Sequence, residues 1–166
     1  MSGSASSWSF REDDAQRLQA ILTRFLRDAS ARTALIVDRA GQLVATVGEA
    51  PVFDPTTFAS LTAADFSAND QLARMLGEPE FGALFHQGER ESMYLADVAR
   101  RVILVVLFDN RTTLGLVKLR VKPAVGELNQ LFTGMFERDG TGARGPGMAS
   151  EFLGEAEDEI DKLFGA

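Results

Sequence analysis

The chain has 166 residues, a formal net charge of −7, one histidine and no cysteine. The histidine and cysteine counts exclude thiol catalysis, disulfide scaffolds and metal sites built from cysteines or several histidines, and the acidic balance argues against binding to the phosphate backbone of nucleic acids. The length suits one domain of ordinary size with short segments left over at its ends.

Residues 1–10 are rich in Ser, Gly and Ala and have neither the basic nor the apolar segment of a secretory signal. They are predicted to form a flexible N-terminal arm. From Glu12 to Ala29 the apolar residues follow helical spacing, and three acidic residues at the start suit the positive end of a helix dipole. This segment is predicted to be an amphipathic helix.

Two short runs rich in strand-forming residues come next, Thr33 to Asp38 and Gln42 to Val47. A turn that contains Gly41 separates them, which predicts a β-hairpin.

A second helix is predicted to begin at Asp54-Pro55, because Asp is a good N-cap and Pro fits the first helical turn. It should end near Leu76, before Gly77. Small side chains are unusually frequent in it, and two interpretations stay open: the small residues pack on the protein's own sheet, or they let a partner's backbone come close. They are Ala59, Ala63, Ala64, Ser67, Ala68 and Ala73.

Three further strands are predicted over Phe81 to Gln87, Ser92 to Val98 and Val102 to Phe108. The last of these is continuously apolar, which is typical of a strand that is covered on both faces or lies at the centre of a sheet.

A last helix is predicted over Leu114 to Met135 from its apolar spacing, with capping groups expected in Asp109 to Thr112. Pro123 lies inside this helix and should kink it or end a first segment. A strand over Leu114 to Val121 remains as an alternative.

The end of the chain divides into a Gly/Pro linker over residues 139–149 and an acidic segment over residues 150–166. Residues 149–166 carry six acidic side chains and one lysine, net −5, whereas residues 1–148 carry 18 acidic and 16 basic side chains, net −2. An apolar stripe with helical spacing runs through the acidic segment, and such a short amphipathic helix needs a surface that covers it. The stripe comprises Phe152, Leu153, Ala156, Ile160, Leu163 and Phe164.

No constellation in the sequence looks catalytic. His86 is the only side chain whose ordinary pKa makes it a base near neutral pH, but no nucleophile motif accompanies it. Asp97 lies in the middle of a predicted strand, where a solvent contact or a polar contact at the sheet edge is a simpler role than general base. A basic group could touch phosphates or acidic lipids, although a solvated surface explains it as well; it comprises Arg100, Arg101, Arg111, Lys118, Arg120 and Lys122.

The segments Leu35 to Leu43 and, above all, Val105 to Arg120 resemble Roadblock/dynein light chain domains. Shorter matches lie at Ala59 to Ala63, Leu76 to Glu78 and Phe85 to Gly88. Within the family the resemblance is to the bacterial polarity and gliding members; it covers about residues 11–137 and the ending Glu159 to Phe164.

This resemblance implies an α+β sandwich, with one Roadblock domain over residues 11–138 and a five-stranded, mostly antiparallel sheet in the order α-β-β-α-β-β-β-α. It implies a homodimer whose sheets join and whose second helices pair, forming a platform for one Ras-like small GTPase of the MglA type in its GTP-bound form. The platform would activate GTP hydrolysis without supplying catalytic groups. The residues implied for the GTPase or dimer contact are Ala63, Ala64, Ser67, Ala68, Gln71 and Leu72.

The resemblance also implies that the C-terminal segment docks on a separate GTPase surface and assists nucleotide exchange, through Phe152, Ile160, Leu163 and Phe164. We expect no cofactor, no metal, no nucleic acid partner and no membrane insertion, and a cytoplasmic location at a cell pole. Two rival functions stay open: a scaffold that binds a GTPase or motor complex without changing its turnover, and an enzyme that uses Asp97 and His86.

Overall fold

A five-stranded antiparallel sheet lies between three helices in the computed structural model, which describes the backbone of residues 10–143 and the side chains of residues 10–138. The order α-β-β-α-β-β-β-α is the one predicted, and no helix in this part of the chain is both long and apolar enough to cross a membrane. The elements are α1 (Glu12–Ala29), β1 (Thr33–Asp38), β2 (Leu43–Gly48), α2 (Pro55–Met75), β3 (Ala83–Gln87), β4 (Ser92–Val98), β5 (Val102–Phe108) and α3 (Leu114–Ala143).

The strands are arranged in the order β2-β1-β5-β4-β3, so β5 is central and β2 and β3 form the two edges. Val105 at the middle of β5 pairs with Leu35 of β1 on one side and with Leu95 of β4 on the other. Six of the seven β5 residues are buried, which confirms the prediction made from its continuous apolar run.

Alternate residues of the strands face two different helix layers, as the pleat of a β-strand requires. Ile36 and Leu104 face α1 and α3, whereas Leu35 and Ile103 face α2. The hydrophobic core on the α2 side is the smaller of the two, because a single helix covers that side of the sheet.

The start of α2 follows the prediction. The Asp54 carboxylate accepts hydrogen bonds from the Thr57 backbone N–H at 3.2 Å and from its hydroxyl at 2.6 Å, and Pro55 occupies the first turn. Gly41 allows this helix to approach the β1–β2 turn, since its φ is +91° and a Cβ there would lie 3.1 Å from Ser60 Cα.

Helix α3 differs most from its prediction. It is continuous from Leu114 to Ala143, so Pro123 does not end a first segment and the alternative strand over Leu114 to Val121 is wrong. Proline removes one helical hydrogen bond, but Val121 before it and Ala124 after it are both buried against the rest of the core, and this packing outweighs the local loss.

The start and the end of α3 also differ from expectation. Thr113, one residue beyond the predicted capping segment, accepts a hydrogen bond from Leu116 N–H at 3.2 Å, while Asp109 instead stabilises the preceding turn by accepting from Arg111 N–H at 3.0 Å. The helix continues to Ala143 and so includes the first residues of the predicted linker. The predicted arm up to residue 9, the rest of the linker and the acidic segment lie outside the described residues.

Candidate protein-interaction surface

Helix α2 has one face packed on the sheet and an opposite face that carries apolar side chains into solvent. The sheet-facing residues are Ala59, Thr62, Ala63, Phe66, Asn69 and Ala73. On the opposite face, apolar residues recur at helical spacing; we call them the outer α2 stripe, and they are Leu61, Ala64, Ala68, Leu72 and Met75.

The large members of the outer α2 stripe are strongly exposed. Leu61 is 65% exposed, Leu72 54% and Met75 82%, and Leu76 at the end of the helix is 73% exposed. Water contact of a continuous row of such side chains is unfavourable, and a row of this kind on a soluble protein is typical of a surface that a partner covers. The geometry therefore makes this face a candidate interaction site.

Of the six α2 residues implied for partner contact, five lie on the exposed side: Ala64, Ser67, Ala68, Gln71 and Leu72. Ala63 does not, because it is only 8% exposed and packs against the sheet. The small residues are thus divided between two sides of one helix. Packing on the protein's own sheet is confirmed for Ala63, and approach of a partner stays a prediction for the exposed Ala64 and Ala68.

Leu61 and Met75 were not predicted from the sequence as candidate site residues, although the structure exposes both on this face. Their spacing of seven residues on either side of Ala68 was the available signal, since seven residues make two helical turns.

Arg39, just after β1, connects α2 to the sheet through ion pairs with both. Its guanidinium donates to Asp70 of α2 at 2.8 Å and to Asp97 of β4, and its Cζ lies 4.7 Å from the centre of the Phe66 ring. Asp97 also accepts from Arg100 N–H at 3.2 Å. This network fixes the position of α2, and it gives Asp97 a structural role as an ion-pair partner.

His86 links the edge strand β3 to the middle of α2. Its Nε2 lies 2.5 Å from Oδ2 of Asp65, and both side chains are partly exposed. His86 pairs with Met93 across the β3–β4 ladder, so it lies about four residues, or about 13 Å, from Asp97 along β4. The two side chains considered for catalysis are therefore held apart, each with its own partner.

A second ion-pair cluster lies around Glu49, just after β2. Arg32 Nε donates to Glu49 at 2.7 Å and Arg111 Nη2 at 3.1 Å, and these hydrogen bonds lower the pKa of the Glu49 carboxyl below its ordinary value of 4.5. Arg111 also donates to Asp109 at 3.0 Å, which likewise lowers the pKa of that carboxyl. One member of the basic group is thus already neutralised within the fold.

We expect the Glu49→Gln variant to lose less of its free energy of unfolding than the wild type does when the pH is lowered. The folded-state pKa of Glu49 is lowered, so its contribution is fully present above about pH 4.5 and is lost as the pH falls through that folded-state value. The urea midpoint should therefore drop less steeply below pH 4.5 in the variant than in the wild type. Ala50→Gln, at an exposed neighbouring position, is the control, and identical slopes in all three proteins would refute the assignment.

The described residues contain no group of three or more His, Asp or Glu side chains that could hold a metal ion. Three members of the basic group, Lys118, Arg120 and Lys122, are exposed on α3, on the opposite side of the sheet from the outer α2 stripe.

Comparison with known proteins adds to this geometry. The family model of the Roadblock/LC7 domain matches residues 8–108. No curated protein sequence matches the chain.

Several solved structures are similar over most of the chain. MglB of Myxococcus xanthus is 44% identical with a TM-score of 0.68, over 71% of this chain and 96% of that one. The gliding protein MglB of Thermus thermophilus is 34% identical with a TM-score of 0.70, over 75% and 95%. A structure described as MglB with tetrameric arrangement is 34% identical with a TM-score of 0.70, over 75% and 94%.

Proposed function

The chain belongs to the Roadblock/LC7 family, and on this premise we propose that it is a dimeric regulator that accelerates GTP hydrolysis by a Ras-like small GTPase of the MglA type. The exposed outer α2 stripe is the observation that carries the proposal, because it offers a partner a continuous apolar surface on a firmly positioned helix. Similarity to MglB and to a protein described as a gliding protein supports a role in bacterial polarity and motility, at a cell pole.

The proposed homodimer forms at the β3 edge. An edge strand leaves unpaired backbone groups that a second copy of the same strand can satisfy. The His86–Asp65 contact puts the middle of α2 next to β3, so joining two β3 strands brings the α2 helices of both protomers side by side. The two outer α2 stripes then form one surface, partly used between protomers and partly open to the GTPase.

The proposed activation is indirect. In residues 10–138, His86 is hydrogen-bonded to Asp65 of α2, and Asp97 is paired with Arg39. GTP hydrolysis depends on the placement of the GTPase's own switch segments and attacking water. Binding to the α2 platform would hold those segments in the hydrolytic arrangement, so the chain acts without catalytic groups of its own.

A paired measurement of binding and turnover tests this function. GTP-loaded MglA-type GTPase is mixed with the protein, and both complex formation and the rate of phosphate release are followed in the same samples. We expect both to rise together. If the complex forms but the hydrolysis rate does not change, the regulator hypothesis is wrong and the scaffold hypothesis is supported.

We further propose that the acidic segment, residues 150–166, binds a second GTPase surface and assists exchange, through Phe152, Ile160, Leu163 and Phe164. Deletion of residues 149–166 should weaken GTPase affinity, and the loss should be largest at low salt, where attraction by its net charge of −5 is least screened. Equal affinity of the deleted and full-length proteins at every salt concentration would contradict this role.

The apolar and charged contributions of the segment can be separated. Replacement of its six acidic residues by Gln or Asn should remove the salt dependence while keeping part of the affinity. Leu163→Ser with Phe164→Ser should lower affinity at low and high salt alike, because apolar contacts are not screened.

A further inference from the structure

The first half of α3 carries three cations that form no ion pair within the described residues, although Arg120 lines a cavity together with Asp28 and Glu127. Between Leu114 and Lys122 there is no acidic residue, and Lys118, Arg120 and Lys122 are all exposed. Leu119 lies among them and is 63% exposed. We call these four residues the α3 basic patch.

Several other cations of the domain are neutralised by ion pairs. Arg24, Arg32, Arg39 and Arg111 each form an ion pair with a carboxylate of the domain. Over the described residues 10–138, the three cations of the patch form none. The patch also lies on the α1/α3 side of the sheet and takes no part in the outer α2 stripe.

Continuing along α3, the exposed surface next to the patch includes a proline and a glycine, which carry little side-chain bulk. Gly126 lies inside the continuous helix, although glycine stabilises a helix least apart from proline, and a Cβ there would meet nothing within 4 Å. Pro123, between the patch and Gly126, is exposed as well. Small or flat side chains at these positions permit close approach of another backbone.

From this surface and the charge of the chain's own end, we propose that residues 150–166 dock on the α3 basic patch of the same chain. The segment carries six acidic residues around its apolar stripe, which matches three unpaired cations around an exposed leucine. Burial of Leu119 against the stripe removes apolar surface from water on both sides, and the charges fix which face of the segment is used.

The chain is long enough for this return. Leu119 lies 24 residues before Ala143, which is about 36 Å along α3. Ile160 is the 17th residue after Ala143; seven extended and ten helical residues would span about 38 Å. A segment running antiparallel to α3 therefore brings Ile160 level with Leu119.

The docking has a regulatory consequence. The same apolar stripe cannot bind α3 and a GTPase at once. In the free protein the segment is bound to α3, and a GTPase must compete with α3 to bind it. Loss of the patch would then increase the affinity of the segment for the GTPase. The docking itself needs no GTPase. A negative docking experiment would therefore leave the proposed GTPase regulation intact, and a failure of GTPase regulation would leave the docking intact.

Zero-length crosslinking of carboxylates to amines tests the docking in the intact protein. The chain has only three lysines, Lys118, Lys122 and Lys162, so crosslinks from the segment to the patch are identified without ambiguity by mass spectrometry. We expect Lys118 and Lys122 to be linked to acidic residues of 151–161, and the yield to fall at least about fivefold at about 0.5 M salt, where the charges are screened.

A matched pair of variants supplies the control. Arg120→Glu keeps both lysines and should lower the yield at least about threefold, whereas Arg17→Glu, at an exposed position of α1, should leave it unchanged. A mixture of ¹⁴N and ¹⁵N chains separates links within one chain from links between chains.

Absence of these links, equal yields in the two variants, or links found only between differently labelled chains would each overturn the proposal. Arg120-dependent binding of the protein to vesicles with anionic lipid, without any tail crosslink, would also overturn it and assign the patch to a membrane surface.

Discussion

Replacement of Ala68 by Arg abolishes the stimulation of GTP hydrolysis in our account. Ala68 lies at the centre of the outer α2 stripe, with Ala64 one turn before it and Leu72 one turn after it. A long charged side chain there would prevent close approach of the partner and would lose its hydration in any contact that formed. Because the position is exposed and helical, we expect the stability of the protomer to change by less than about 0.5 kcal/mol.

The matched control is Ala20→Arg, the same change at an exposed position of helix α1 on the other side of the sheet. The Ala20→Arg variant should stimulate phosphate release by the MglA-type GTPase as much as the wild type does. The Ala68→Arg variant should not stimulate it. Full stimulation of GTP hydrolysis by the Ala68→Arg variant would show that the outer α2 stripe is not needed for the stimulation.

Phe66→Ala should destabilise the protein by about 3–5 kcal/mol, the cost typical of removing a buried aromatic ring. Phe66 is 1% exposed, is the largest side chain that α2 buries on the sheet, and lies beneath the Arg39 guanidinium. Its removal opens a cavity and takes away a ring on which Arg39 packs. The free energy of unfolding, obtained from urea titration, measures the effect.

Val52→Ala serves as the control for Phe66, since Val52 is 98% exposed and its truncation leaves no cavity. We expect a change below about 0.5 kcal/mol for this variant. If Phe66→Ala cost less than about 1 kcal/mol, α2 would not be anchored to the sheet as described.

The sequence predicted the order of elements because each has a strong local signal. The continuous apolar run of β5 indicated a covered central strand, and Asp54-Pro55 indicated the start of α2; both are confirmed. Of the two effects expected of Pro123, a kink or the end of a first segment, the second is wrong. The local effect of proline on a helix is unfavourable, and it is outweighed by burial of Val121 and Ala124 against distant residues.

The assignment of faces on α2 needed information that the local sequence lacks. Ala63 and Ala64 are adjacent and chemically identical, yet one is buried and the other exposed. The rotation of the helix is set by Phe66 on the sheet and by the Arg39–Asp70 ion pair, whose partners are 31 residues apart. Composition can show that a face is rich in small residues, but long-range contacts decide which side of the helix meets solvent.

The partners of the charged side chains also could not be predicted from the local sequence. The roles of Asp97 and His86 depended on partners from other elements, Arg39 and Asp65, that no spacing rule connects to them. For the basic group, only the structure separates Arg111, which is neutralised by Asp109 and Glu49, from the cations of the α3 basic patch.

We propose above that a pair of these chains forms one α2 platform for one GTPase and accelerates its hydrolysis. Single-turnover GTP hydrolysis by the MglA-type GTPase, titrated with this protein well above the dissociation constant, tests this proposal. We expect the rate to rise and to become constant at two chains per GTPase. A rate that stays at its intrinsic value although the complex forms, or one that becomes constant at one chain per GTPase, would contradict it.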